Sequence, residues 1–335
     1  MKIVIVGSCA YDSLEYNLKE AFCHNGHECQ IFDIYDSWYY NCPKLKVITR
    51  TLNNLGRRYV ESYDERVFTH LTRRVLCFRP DLVIGVYRFI HPSFVKKIKQ
   101  NGIKIVHINP DALTTFELQQ LFVEPYNIYF TKDPYIFRFM KDNMKLNTKL
   151  YCEAFNTRIH IKPSINKEDA EQKWNIDVLS FGNLYPYRNR MLACLKDAGI
   201  SLSLYGSKCR HFLPELESVF QNKYIVGAEK SEILYGAKIV FNNLHYAEIE
   251  SVNNKFFEIN GSGAFQLCDY RPILKELLPL DPELVSYKNI DEAIEKIQYY
   301  LAHPKERYDI SECICRHFHN KYSYDQLIYY ILSSL

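Results

Sequence analysis

No stretch of this chain approaches the roughly 18 consecutive apolar residues that a membrane-crossing helix needs. An excess of charge of one sign is missing too: 42 Lys and Arg stand against 39 Asp and Glu, a formal net charge of +3. That bias is too weak for a nucleic-acid-binding domain, and no RNA-binding motif or long basic run accompanies it. No Gly-x-Gly-x-x-Gly follows the first strand-like run, which weighs against a dinucleotide site. Gly-x-Ser-x-Gly and Walker loops are absent as well. Nor is there any Asp-x-Asp pair; the nearest spacing is Asp33 and Asp36. The 11 cysteines form an odd set without the spacing of a disulfide scaffold. The apolar run 3–6 is too short for an export signal, so free thiols in a reducing cytoplasm are expected.

What is present is a globular composition, 47% hydrophobic and 24% charged, over 335 residues. That length suits two domains with separate cores. The first half alternates short apolar runs with helical spacing. Strands are expected at 3–6, 28–34, 82–86 and 104–108, with shorter ones at 126–130 and 148–151. Helices are expected over 14–24, 61–78 and 94–101. Apolar runs separated by helices indicate a parallel sheet covered on both faces. The pattern breaks over 156–174, where a polar stretch reads as a linker. It restarts with strands at 177–181, 202–205, 224–226, 239–241 and 264–267 and a helix over 188–198. The fold class is therefore α/β, with two Rossmann-like, doubly wound parallel-sheet domains facing a central cleft. The first occupies 1–160 and the second 161–315. The remainder, 316–335, ends in an apolar, aromatic helix over 322–335 expected to pack back across the domain junction. Ligands of such sheets sit at the C-terminal ends of the strands.

The informative segment runs from Glu250 to Gln266. Glu250 and Glu258 are separated by seven residues, Ser251-Val252-Asn253-Asn254-Lys255-Phe256-Phe257. Ser251 and Asn253 are good N-caps, so a helix is expected to begin between the glutamates. Its free amides make an anion site suited to a diphosphate, and Lys255 adds positive charge. The Glu258 carboxylate can accept two hydrogen bonds, as a ribose diol offers. Gly261 and Gly263 allow a tight exit into the next strand.

This arrangement resembles the donor site of family-4-like GT-B glycosyltransferases. More particularly, Val252–Glu258, Gly263-Ala264-Phe265, Asp269-Tyr270-Arg271-Pro272 and Tyr299-Tyr300-Leu301-Ala302-His303-Pro304 resemble the spore-maturation CgeB-like group. The resemblance covers roughly residues 177–330. It implies a transferase moving a sugar from a nucleotide-diphosphate sugar to an acceptor hydroxyl, in surface or spore-coat glycan assembly. It also implies Glu258 at the donor ribose and Glu250 near the sugar. Members of the group commonly carry Arg where Lys255 stands, so charge is kept but the bidentate fork is not. The implied co-substrate is the nucleotide-sugar donor, with no other cofactor. GT-A-type transferases hold a metal with Asp-x-Asp, so its absence implies a metal-independent reaction. The two-glutamate resemblance favours retention. A non-catalytic nucleotide- or glycan-binding scaffold and a sugar-nucleotide epimerase are the alternatives on the same fold.

Further donor-side candidates follow strands. Gly182 precedes a helix start with Arg188 and Arg190, a turn that lets backbone approach a phosphate while an arginine neutralises it. Tyr205-Gly206 and the Tyr224–Gly227 loop, with Val226, are implied to hold the base. In the first half, His91 and Asp111 follow strands whose ends should face the cleft, and either is a candidate base for the acceptor hydroxyl. The expected acceptor is a glycan, a lipid-linked species or a protein, and no nucleic acid. Peripheral membrane contact rests on Lys44, Lys46, Arg50, Arg57, Arg58, Arg66, Arg73 and Arg74, for which a solvated helical face is an equal account. Cys313-x-Cys315-x-His317-x-His319 resembles a metal motif. On a helix, however, Cys313/His317 and Cys315/His319 fall on separate faces. No metal site is expected there, nor at the Cys23–Cys29 cluster.

Overall fold

In the computed structural model, residues 1–34, 45–86, 89–110 and 119–335 are described. They divide into two units: Met1–Cys152 with Ile328–Leu335, and Glu153–Leu327. The division falls after Cys152 rather than at 160, and the chain returns to the first unit inside its last helix.

The first unit is built on six parallel strands: β1 (Lys2–Gly7), β2 (Glu28–Asp33), β3 (Leu82–Gly85), β4 (Lys104–Asn109), β5 (Ile128–Thr131) and β6 (Thr148–Leu150). Their spatial sequence is β2-β1-β3-β4-β5-β6. Ile3, Val4, Ile5 and Val6 are fully buried, as expected of a β-branched run covered on both faces. The helix Glu61–Phe78 shows why the periodicity was legible. Val67, Phe68, Leu71 and Val75 form its buried stripe, acids occupy its first turn, and Arg79 in the left-handed region ends it before Pro80. The terminal residues complete this unit: Tyr330 packs on Phe130, and its hydroxyl donates to the Leu150 carbonyl at 2.9 Å.

The second unit repeats the plan with β7 (Ile176–Leu184), β8 (Leu202–Lys208), β9 (Ala237–Asn242), β10 (Gln266–Asp269) and β11 (Ser286–Tyr287), all parallel. Their spatial sequence is β11-β10-β9-β7-β8. In both sheets the second strand lies outside the first and the third on its other side. The point where strand succession reverses, and where such sheets bind ligands, is therefore beside β1 in one unit and beside β7 in the other.

Two expectations fail here. Residues 224–226 form no strand. They lead into a helix, Gly227–Gly236, because the free edge of β8 is met instead by Phe220, bridged to Leu204, and by the Lys223 carbonyl accepting from the Gly206 amide. The stretch 156–174 is not merely a linker, since it contains the helix Lys167–Trp174 with Asn166 as N-cap. Two of its charges are buried and paired: Glu171 meets Arg307 at 2.7 Å and Lys167 at 3.5 Å. Lys167 and Glu171 thus belong to an internal ion network, while Glu168, Asp169 and Lys173 on the same helix face solvent.

Candidate functional site

The site of the second unit begins where β7 and β8 end. Gly182 and Gly206 are registered partners with φ of +96° and +118°. A Cβ on Gly206 would stand 2.1 Å from the Gly182 carbonyl oxygen. The two backbones can pass so closely because Gly206 has no Cβ. Beside them β9 ends at Asn242, whose amide pairs reciprocally with that of Asn253 at 3.0 and 3.1 Å and also reaches Gln266 at 3.0 Å.

Asn253 then caps the helix Asn254–Gly261, its Oδ1 accepting from the Phe256 amide at 3.1 Å. The helix thus starts between the two glutamates, with Asn253 as its cap. Ser251 is buried and donates to the Glu248 carboxylate at 2.6 Å instead.

Lys255, in the first turn, donates to the Phe181 carbonyl and lies 4.8 Å over the Phe181 ring. A Cβ on Gly182 would meet its ammonium at 2.6 Å. Burial pushes its pKa well below the usual lysine value; the charges of Arg188 and Lys230 push the same way, while Glu258 opposes them. A cation held this way, at a helix N-terminus and against backbone, gains from any anion placed next to it.

Glu258 is buried one turn further on. Its Oε2 meets Lys230 at 2.9 Å, and its Oε1 accepts from Asn254 at 2.8 Å, with His160 at 3.8 Å. Lys230 and His160 are buried too and were not singled out from the sequence. The misread helix start at Gly227 concealed Lys230. A lysine in the first turn after a glycine is the signal that could have found it.

Arg188 does not reach outward from an exposed turn. It is buried, its Nε and Nη2 donating to the side chain and carbonyl of Asn243 at 2.9 Å and its Nη1 to the Asn183 carbonyl at 2.6 Å. It therefore staples the end of β7 and the helix Pro186–Asp197 to the loop after β9, across the reversal point. Arg190 is exposed. The loop after β9 is held further by Asp269, which accepts from the Leu244 amide at 2.6 Å, and by Arg271, whose Nε donates to the Glu248 carbonyl at 2.9 Å. The Asp-Tyr-Arg-Pro stretch thus braces the site from behind.

Other candidates fall at varying remove. Glu250 is half-buried in the loop before the helix. Tyr205 is buried in β8, and Val226 is the N-cap residue of Gly227–Gly236. In the first unit, His91 caps the helix Pro92–Gln100: its Nδ1 accepts from the Ser93 amide at 3.2 Å and its Nε2 faces Glu61 at 2.8 Å. Both ring nitrogens are engaged there. Asp111 lies outside the described residues. Among the described residues neither cysteine–histidine cluster gathers ligand atoms; Cys315 and His319 both point to the Gly261 carbonyl, at 3.7 and 2.9 Å.

The matching position of the first unit has the opposite sign. A Cβ on Gly7, which ends β1, would meet the Glu15 carboxylate at 2.4 Å, and that carboxylate accepts from the Ser8 amide at 2.9 Å. Burial raises the Glu15 pKa. One unit has filled its turn with its own carboxyl group; the other has placed an ammonium there.

A family model described as glycosyl transferase-like matches residues 188–333. A search of curated proteins finds no match. Among solved structures, Anabaena HepE in complex with UDP and glucose is similar at a TM-score of 0.71 and 13% identity, over 100% of both chains. Sucrose-phosphate synthase from Thermosynechococcus elongatus is similar at a TM-score of 0.67 and 11% identity, again over 100% of both. A glycosyltransferase from Rickettsia africae follows at 0.64 and 10%, over 99% of this chain and 97% of that one. At these identities the likeness is one of fold: the chain has the GT-B fold of glycosyltransferases, and its residues 188–333 match a glycosyltransferase family model.

Proposed function

We propose that this chain is a glycosyltransferase that takes a sugar from a nucleotide-diphosphate sugar and passes it to an acceptor hydroxyl, the donor being held by the second unit. The observation that carries this reading is the contrast of charge at two glycines, Gly182 near the end of β7 and Gly7 at the end of β1. Lys255 stands against Gly182, whereas Glu15 stands against Gly7. A diphosphate is attracted to the first and repelled by the second. The family match to residues 188–333 and the UDP-bound structure of HepE support the same assignment.

As the glycosidic bond breaks, negative charge grows on the leaving diphosphate. Lys255, the first amides of Asn254–Gly261 and, behind them, Lys230 stabilise that charge in a site withdrawn from water. Arg188 contributes by fixing the two loops and by its field, rather than by direct contact. Lys230 and Asn254 hold the Glu258 carboxylate in place. Each of its oxygens keeps a second lone pair for a ribose hydroxyl. Glu250 is assigned to the sugar end, and Tyr205, Gly206 and Val226 to the base. Ser251 and Asn253 act by shaping the helix entry. We assign the reaction to a metal-independent, retaining transferase of the CgeB-like group, acting on a glycan, lipid-linked or protein acceptor in surface or spore-coat assembly. Asp111 remains the acceptor-side base proposed from sequence; His91 could act as one only after leaving Glu61 or Ser93. A non-catalytic scaffold draws support from one observation: Glu258 and Arg188 already have internal partners that hold the site without ligand.

The test is turnover of the full chain on a panel of nucleotide-diphosphate sugars, with and without excess chelator. Release of nucleoside diphosphate, increased by acceptor extracts and unchanged by chelator, is expected. No release with any donor favours the scaffold. A changed sugar nucleotide without diphosphate release indicates an epimerase. Loss of turnover with chelator, restored by magnesium or manganese, contradicts the metal-free reading.

A further inference from the structure

The helix Lys46–Tyr59 of the first unit is inverted relative to an ordinary surface helix. Its face toward the helix Glu61–Phe78 is polar or small. Arg57 meets Asp64 at 2.7 Å, Asn53 accepts from the Tyr63 hydroxyl at 2.7 Å, and Gly56 lies under the Tyr63 ring. The apolar residues point away. Leu45, Ile48, Leu52, Leu55 and Tyr59 recur at steps of three and four, so they form one stripe. They are 51%, 57%, 53%, 48% and 72% exposed, and Val47 beside them is 80% exposed. A soluble helix would turn this stripe to the core.

Charge decides what covers it. From Lys46 to Tyr59 the sequence carries four basic residues and no acidic one. Arg57 is held by Asp64, while Arg50 and Arg58 are exposed. The next helix carries exposed Arg66, Arg73 and Arg74 beside exposed Glu61 and Glu65, so the net positive charge is that of Lys46–Tyr59 itself. A second copy of the chain would set this positive surface against itself. An anionic lipid surface meets both features: the stripe enters the acyl boundary while the arginines stay at the phosphates. We infer that Lys46–Tyr59 lies in the plane of an anionic membrane interface and holds the chain there. This stands apart from the sugar-transfer reading, because it needs no donor or acceptor.

The experiment is co-sedimentation of the full chain with vesicles of phosphatidylcholine alone or with added phosphatidylglycerol, without any sugar nucleotide. Binding is expected to the anionic vesicles only, and to weaken with salt. L52D/L55D is expected to lower vesicle affinity by at least about tenfold. R50E/R58E should abolish the preference for phosphatidylglycerol. Circular dichroism and the melting temperature, read on the same samples, establish that each variant is folded, and the neutral pair R50Q/R58Q should lower the preference for phosphatidylglycerol in the same direction as R50E/R58E. Absence of binding to either vesicle, or unchanged binding by both variants, overturns the inference. So does a solution dimer dissolved by L52D/L55D in a chain that ignores vesicles, which would assign the stripe to a second copy.

Discussion

Glu258→Ala is expected to destabilise the folded chain by about 3–5 kcal/mol, measured by urea unfolding, because it removes the buried carboxylate that meets the buried Lys230 ammonium at 2.9 Å. Donor affinity should fall as well, by about 1–3 kcal/mol for lost charge-assisted hydrogen bonds. The two effects separate in a double variant. Glu258→Leu with Lys230→Met removes both charges and should recover most of the stability, since a buried ion pair is often replaceable by apolar residues of similar volume. It should not recover donor binding. A stable double variant that binds donor like the wild type would leave the pair as an internal brace and nothing more. Had Glu258 been an exposed helix-face carboxylate, Ala would cost little. Its burial is what turns a binding mutation into a folding mutation.

Gly206→Ala is expected to cost about 3 kcal/mol or more. The new methyl must share space with the Gly182 carbonyl, 2.1 Å away, at a φ of +118° that other residues rarely adopt. Gly199 provides the control. Its φ is +81°, but a Cβ there meets nothing within 4 Å. Gly199→Ala should therefore show only the conformational penalty, about 1 kcal/mol. Equal losses at the two positions in urea unfolding would mean that the close passage of β7 and β8 is not what Gly206 provides.

Much of the architecture was legible because parallel strands covered on both faces write themselves as continuous apolar runs. Ile3–Val6 and the stripe Val67, Phe68, Leu71, Val75 are examples. The start of the helix after Asn253 was legible for a different reason: a side-chain amide before a helical pattern has a mechanical role. The failures share a cause. Charged residues read as solvent-facing when the fold has in fact paired them inside. Arg188 was read as reaching a phosphate and is buried against Asn243 and Asn183; Lys167 and Glu171 looked like a linker and form an internal network; Lys230 was passed over. Apart from Lys167 and Glu171, which are an i,i+4 pair, the partners are distant in sequence, such as Asn243 for Arg188, Arg307 for Glu171 and Glu258 for Lys230. No local pattern reports them. The inverted helix Lys46–Tyr59 is the converse case: its apolar spacing is local, but which side faces the protein is not.

The claim that Lys255 and the amides around it hold a diphosphate is tested most directly by titration calorimetry of the wild type and Lys255→Ala with a nucleoside and its diphosphate, for instance uridine and UDP and their counterparts with other bases. For the base that binds, the variant should lose about 1–3 kcal/mol toward the diphosphate and little toward the nucleoside. Because the Lys255 pKa is pushed down, the wild-type preference for the diphosphate should fade as pH rises through the lowered value and the ammonium is neutralised, a dependence the variant should lack. Equal losses for nucleoside and diphosphate, or no diphosphate binding by the wild type with any base, would contradict the account.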